Sequence, residues 1–142
     1  MIACDTSILV YAHRLEFPLH AAALARLTAL AEGVAPWGVP VFCLSEFVRV
    51  TTHRKVLRPP STREEALAFL AGIAASPAFR CLLPDATYLT TFDETVRAAA
   101  ASGNLAHDAQ IAAVCRIHGA TLLTADRDFA RFPIDTASLG DV

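Results

Sequence analysis

Residues 2–12, IACDTSILVYA, carry the reading that decides the fold. Ile2, Ala3 and Cys4 form a short apolar run without the alternation of a half-wet strand, which suits a strand buried on both faces. The run ends in a turn at Asp5, and Thr6 or Ser7 is placed to cap the helical turn that carries Ile8 to Ala12. A carboxylate between two apolar runs is costly to bury unless its charge is offset.

The same juxtaposition recurs three times along the chain. Glu46 lies in VPVFCLSEFVRV, Asp108 in GNLAHDAQIAAV and Asp126 in ATLLTADRDF. Each acid stands within or beside an apolar stretch, where a strand is expected to stop or a helix to begin. Any one of them reads equally well as a helix cap; the set of four is what points to a shared site.

Between these points the chain alternates helices and strands. Pro18 opens a helix over about 19–32, with Leu24, Leu27 and Leu30 on adjoining faces and Gly33 at its end. The stretch APWGVPVF reads as a turn and then a strand through Val39, Val41 and Phe42. Ser45 and Glu46 are expected to begin the next helix, which Pro59-Pro60 stops. Ser61 or Thr62 caps another, with Glu64 and Glu65 in its first turn where the helix dipole favours anions. A short strand at 81–83, helices over about 85–101 and 106–117, a strand at 120–124 and a loop or single helical turn at 126–132 complete the pattern, with one further short strand in the tail. Alternation of this kind predicts an α/β fold: a three-layer α/β/α sandwich around a short, mostly parallel sheet, spanning residues 1–142 as one domain. Ligands of such sheets bind beyond the carboxyl ends of the strands, so Asp5 and Asp126 would meet there, with Glu46 and Asp108 leaning in from the opening turns of helices.

Composition agrees with a folded core: the 142 residues are 54% hydrophobic and 18% charged. No apolar run reaches the roughly 20 residues that span a bilayer, and the opening MIACDTSILV lacks the basic start of a signal peptide, so a cytoplasmic location is expected. Cys4, Cys43, Cys81 and Cys115 form no CxxC pair and read as small buried residues. The net charge of −2 excludes wholesale attraction to nucleic acid. One segment is basic nonetheless: Arg49, His53, Arg54, Lys55, Arg58 and Arg63. Of these, Arg49, Arg54, Lys55 and Arg58 are candidates for holding a phosphate backbone.

Two carboxylates a few ångströms apart repel by about 4 kcal/mol at an effective dielectric of 20. Four together require protonation or a cation, and oxygen ligands suit Mg²⁺ or Mn²⁺. Such an ion draws in phosphate, lowers the pKa of water and removes the need for a nucleophilic side chain.

Taken in order, these motifs resemble those of the PIN-domain nucleases, specifically the VapC-type toxins of bacterial toxin–antitoxin pairs. The apolar strand with Asp5-Thr6-Ser7 and Ile8 to Ala12 is similar to the first family motif. Glu46 matches the glutamate after the second strand. Asn104 to Ala109 followed by Ile111, Ala112 and Ala113 looks like the third motif, and Leu123 to Phe129 the fourth. The resemblance covers essentially the whole chain. It implies Mg²⁺- or Mn²⁺-dependent cleavage of RNA, a homodimer, and inhibition by a small VapB-like antitoxin. It further implies catalytic roles for Asp5, Glu46, Asp108 and Asp126, with Asp5, Asp108 and Asp126 on the metal. Glu46 is left between orienting water and holding a second ion. Thr6 and Thr124 would steady the ligands from behind; Asn104 would order the turn before the Asp108 helix or be a plain turn or cap residue, and Asp128 would be a supporting acid or the cap of a short turn. For the antitoxin, apolar residues of the first long helix and the Glu46 helix, with Phe47 and Trp37, are expected either to form a groove or to be buried in the core.

Other readings fit less well. A haloacid-dehalogenase phosphatase needs an acid two residues after its first aspartate, where Ser7 stands. A receiver domain needs a late lysine, and Lys55 is the chain's only one. A Ser–His–Asp triad through Ser7 or Ser45 lacks the GxSxG elbow. A catalytically inactive PIN-fold module that acts through its partner is the remaining alternative.

Overall fold

The computed structural model describes residues 1–140. Five strands, β1 (Ile2–Cys4), β2 (Trp37–Pro40), β3 (Phe79–Leu82), β4 (Thr121–Leu123) and β5 (Thr136–Ala137), form one sheet in the order β3-β2-β1-β4-β5. Every pairing is parallel. The sheet is flanked by α1 (Thr6–His13), α2 (His20–Glu32), α3 (Val41–Thr51), α4 (Arg63–Ala74), α5 (Tyr88–Ala99) and α6 (Leu105–His118). The expected α/β sandwich with a parallel sheet is therefore found, including the short last strand in the tail.

The order of the strands matters for function. The chain builds β1, moves outward through β2 and β3, then returns to the other side of β1 to lay down β4 and β5. The direction of winding thus reverses between β1 and β4. At such a switch point the connections leave in opposite directions and open a crevice beyond the strand ends. The crevice walls are pinned by the backbone: Asp5 N–H donates to Leu123 O at 3.0 Å, and Thr124 N–H to Ala137 O at 3.0 Å.

The central strands β1, β2 and β4 are short and largely enclosed, as the lack of alternation in IAC and WGVP requires. Trp37, Gly38, Val39 and Pro40 are all buried. Gly38 is needed there because a Cβ would lie 2.6 Å from Arg80 O of β3 and 2.8 Å from Leu82 Cγ. Trp37, Phe47, Phe129, Ile8, Leu9 and Ile111 are among the largest fully buried side chains. Phe47 stacks on Phe69 at 5.1 Å, which ties α3 to α4.

Several expected boundaries move. The second strand is Trp37–Pro40, and Val41 and Phe42 already belong to α3. Pro40 adopts φ −56° and ψ 135° as the residue before the helix. Buried Cys43, Phe47 and Thr51 recur every four residues, so packing on one helical face overrides the β preference of the Val and Phe residues. Consequently Glu46 sits in the second turn of α3 and not at its start. Asp5, rather than Thr6 or Ser7, occupies the N-cap position of α1. Thr62 caps α4 in a capping box with Glu65, as one of the two expected alternatives. Contrary to the expectation of four buried cysteines, Cys81 is exposed in the middle of edge strand β3, as is its neighbour Arg80; the other three are buried.

Candidate metal centre at the sheet switch point

Each acid reaches the crevice by a different element. Asp5 is the residue after β1 and is only 3% exposed. Asp126 follows β4 by three residues, and Asp128 lies in the 3-10 turn Arg127–Arg131. Asp108 projects from the first turn of α6 and Glu46 from α3. Asp5, Glu46, Asp108 and Asp126 line one pocket of about 280 Å³, together with Thr6, Ser7, Val10, Tyr11, Val50 and Phe129. The tightest group within it is Asp108, Asp126 and Asp128, each contributing an oxygen within 4.8 Å of the others. Asp128, read from sequence as a supporting acid, thus stands as close to Asp108 and Asp126 as any ligand would.

Asp5 is held differently from the others. Its Oδ2 accepts hydrogen bonds from Thr124 Oγ1 at 2.7 Å and Ser7 Oγ at 3.0 Å. On the other oxygen, the Cys43 thiol approaches Oδ1 at 3.9 Å. Burial pushes the Asp5 carboxyl above the ordinary carboxylate range, against the opposing pull of the Thr124 and Ser7 hydrogen bonds. Asp108 is pushed up to about 6, first by burial and then by the charges of Asp126, Asp5, Glu46 and Asp128. Burial also drives the Cys43 thiol well above its usual value, which keeps it protonated and unfit as a thiolate ligand.

The supporting residues divide. Thr124 bridges two acids: its hydroxyl donates to Asp5 and accepts Asp126 N–H at 3.0 Å. Asp128 N–H donates to Asp126 Oδ1 at 2.9 Å and fixes the rotamer of that carboxylate. Thr6 is buried beside Asp5, yet its hydroxyl finds no hydrogen-bond partner among the described residues. Asn104 precedes α6 but makes no capping bond through its side chain, since its own backbone is already helical. It lines a neighbouring cleft instead.

Ser7 has a role that its sequence reading as a possible cap did not capture. Besides holding Asp5, its hydroxyl accepts Ala125 N–H at 3.1 Å and so joins the start of α1 to the loop after β4. The available signal was a hydroxyl two residues after a buried aspartate at a helix start, the spacing of a local side-chain bond. Ser45 donates to Phe42 O and, like Ser7, meets no histidine, so no triad forms among the described residues.

The basic segment is exposed. Arg49 lines the cleft next to Glu46. Arg54, Lys55 and Arg58 lie in the loop after α3 and border neither that cleft nor the acidic pocket. Trp37 and Phe47 are both 0% exposed, so neither lines a groove for a partner; the sheet and the α3–α4 contact consume them.

These side chains suit a hard divalent cation. The cluster offers oxygen and neither imidazole nor thiolate, as Mg²⁺ or Mn²⁺ prefers. Asp108 is raised first by burial and then by the surrounding carboxylates, and a cation bound among them would favour its charged form.

The family model for the PIN domain matches residues 2–135. Among curated relatives, Ribonuclease VapC43 of Mycobacterium tuberculosis is 36% identical over 132 residues, covering 93% of this chain and 90% of that protein. Ribonuclease VapC31 of the same species is 33% identical over 132 residues, covering 93% of each. In structure, the chain is similar to VapBC2 from Rickettsia felis bound to a DNA fragment from their promoter. That likeness has a TM-score of 0.69 at 21% identity and covers 97% of this chain and 98% of that one.

Proposed function

The chain belongs to the PIN-domain family, and from that premise we propose that it is a metal-dependent endoribonuclease of the VapC kind, the toxin of a toxin–antitoxin pair. The observation that carries this reading is the meeting of Asp108, Asp126 and Asp128 within 4.8 Å, in a pocket shared with Asp5 and Glu46 at the sheet switch point.

Asp108, Asp126 and Asp5 would hold Mg²⁺ or Mn²⁺, with Asp128 adjoining them. Such an ion supplies positive charge for a phosphodiester and a lowered pKa for water. The chain's own residues do the rest. Thr124 and Ser7 fix the orientation of Asp5, and Asp128 N–H fixes that of Asp126. Glu46, on α3, would orient water or hold a second ion in the same pocket. Val10, Val50 and Phe129 line the same pocket and give it an apolar wall beside the carboxylates.

Residues 1–142 are read as one PIN-like domain, since the sheet takes strands from both ends of the described chain. A small VapB-like antitoxin and a second copy of the chain are the proposed partners. Uncovered apolar side chains at Leu15, Leu19 and Leu24, and at Leu83 and Leu89, offer surface for them. Among the described residues no helix is long and apolar enough to cross a membrane. An RNA-cleaving toxin acts in the cytoplasm.

Incubation of purified chain with RNA tests the proposal. Cleavage is expected with Mg²⁺ or Mn²⁺, none with chelator, and none for Asp108→Asn. Metal-independent cleavage would overturn the metal's role. Absence of any cleavage by a folded, partner-free chain would favour the inactive binding module.

A further inference from the structure

Beside the acidic pocket lies a second cleft, about 520 Å³ in volume, between α3 and the start of α6. Glu46 belongs to the walls of both, so the two cavities adjoin at this side chain. Phe42 and Ile111 give it apolar surface, but its other lining side chains are polar, which a groove for a protein helix would not need. Phe42 presents one aromatic surface and is braced by Tyr88 at 5.9 Å, which itself stacks on Phe92 at 5.6 Å. Around it stand Arg49, Asn104, His107 and Gln110. The hydrogen bonds and ion pairs among the described residues include none from these four side chains. Two amides and a guanidinium without internal partners, beside an aromatic face, are the groups that take a nucleobase: stacking on the ring, paired bonds to the base edge, charge on the phosphate.

We infer that this cleft is a base subsite for single-stranded RNA, occupied by the unpaired base of the nucleotide next to the phosphodiester at the acids. Phe42 is its stacking surface, Asn104 and Gln110 contact its edge, and Arg49 contacts the adjoining phosphate. A paired base is excluded because its edge is already used and its faces are stacked. The inference rests on RNA being the substrate. It adds that selectivity for the nucleotide beside the cut resides in Asn104 and Gln110, which the acids cannot supply.

The test is ultraviolet crosslinking of single-stranded RNA carrying 4-thiouridine to the full chain, with calcium replacing magnesium. Crosslinks are expected on residues 42–49 and 104–111. Asn104→Ala/Gln110→Ala should weaken RNA binding about tenfold. It should also flatten the preference among oligonucleotides that differ in one base, while Phe42→Leu weakens binding to all of them. Circular dichroism of each variant reports the fold. Crosslinks found only elsewhere, or a double variant that binds and discriminates as the parent does, would overturn the subsite. Crosslinks in the cleft of a chain that cuts no RNA would instead keep the subsite and remove the nuclease activity.

Discussion

Thr124 Oγ1 donates to Asp5 Oδ2 at 2.7 Å across 119 residues of chain, and the same oxygen accepts the backbone N–H of Asp126 at 3.0 Å. One hydroxyl therefore sets the relation between two acids that enter the crevice from adjacent strands β1 and β4. Valine has the same shape and neither bond. Thr124→Val should lower metal-dependent cleavage about 10–100-fold, the usual cost of losing a group that orients a ligand. Asp5, having lost a donor, should ionise at still higher pH, so the acidic limb of the pH–rate profile should move upward. Unchanged activity with an unchanged profile would remove Thr124 from this role.

Asp108 is crowded by four other carboxylates. Without metal that crowding opposes folding, so Asp108→Asn should raise the melting temperature of the metal-free protein. The parent should gain stability from Mg²⁺ or Mn²⁺, by about 2.7 kcal/mol at a hundredfold excess over Kd. The variant should lose most of that gain. A metal increment that survives the substitution would show that Asp108 holds no ion.

Burial, together with this crowding, gives a pH dependence of definite sign. Asp108 ionises at about 6 in the folded chain against 3.8 unperturbed, and Asp5 is also shifted upward. Between these values the folded state binds more protons than the unfolded state, so stability falls as pH rises. Asp108 is only partly buried and solvent screens it, so the expected loss between pH 4 and 6 is about 1 kcal/mol from this group. Chemical denaturation in chelator across that window measures it. A rise in stability over the same interval would contradict the assigned surroundings of Asp108.

The acids were legible in the sequence because each breaks an apolar run, and a parallel α/β sheet brings strand ends to one edge. Asp5 and Asp126 followed from that topology, as did the strands themselves. Pairing distance was not legible. Asp128 looked subordinate because it follows Asp126 by two residues, and only the 3-10 turn folds it back toward Asp108. Glu46 was displaced by one helical turn, since VFCLSEFVRV has strand-like letters and helical spacing, and burial of Cys43 and Phe47 chose the latter. Ser7 was missed as a bridge because its second partner, Ala125 N–H, is 118 residues away. Such a contact belongs to the fold and leaves no local pattern.

Arg54, Lys55 and Arg58 are exposed and, among the described residues, have no ion-pair partner. Their charge is available to a phosphate backbone. Replacing all three by alanine should lower the slope of log binding constant against log salt by about 2 for single-stranded RNA. A binding isotherm series in KCl, with calcium present, reads this directly. An unchanged slope would assign the three cations to solvent alone.

Two glycines make opposite predictions from the same substitution. At Gly38 a new Cβ would stand 2.6 Å from Arg80 O, a backbone atom fixed by the β2–β3 pairing. The clash cannot be relieved by a rotamer change, so Gly38→Ala should cost about 1–3 kcal/mol and splay the edge of the sheet. Gly72 lies inside α4 with nothing within 4 Å of its Cβ direction. Gly72→Ala should therefore stabilise by about 0.5–1 kcal/mol, through helix propensity and a less flexible unfolded chain. Urea unfolding of both variants decides the matter. Equal effects of the two would mean that β2 and β3 do not approach as closely as this register requires, and the crevice beside β1 would lose the sheet that frames it.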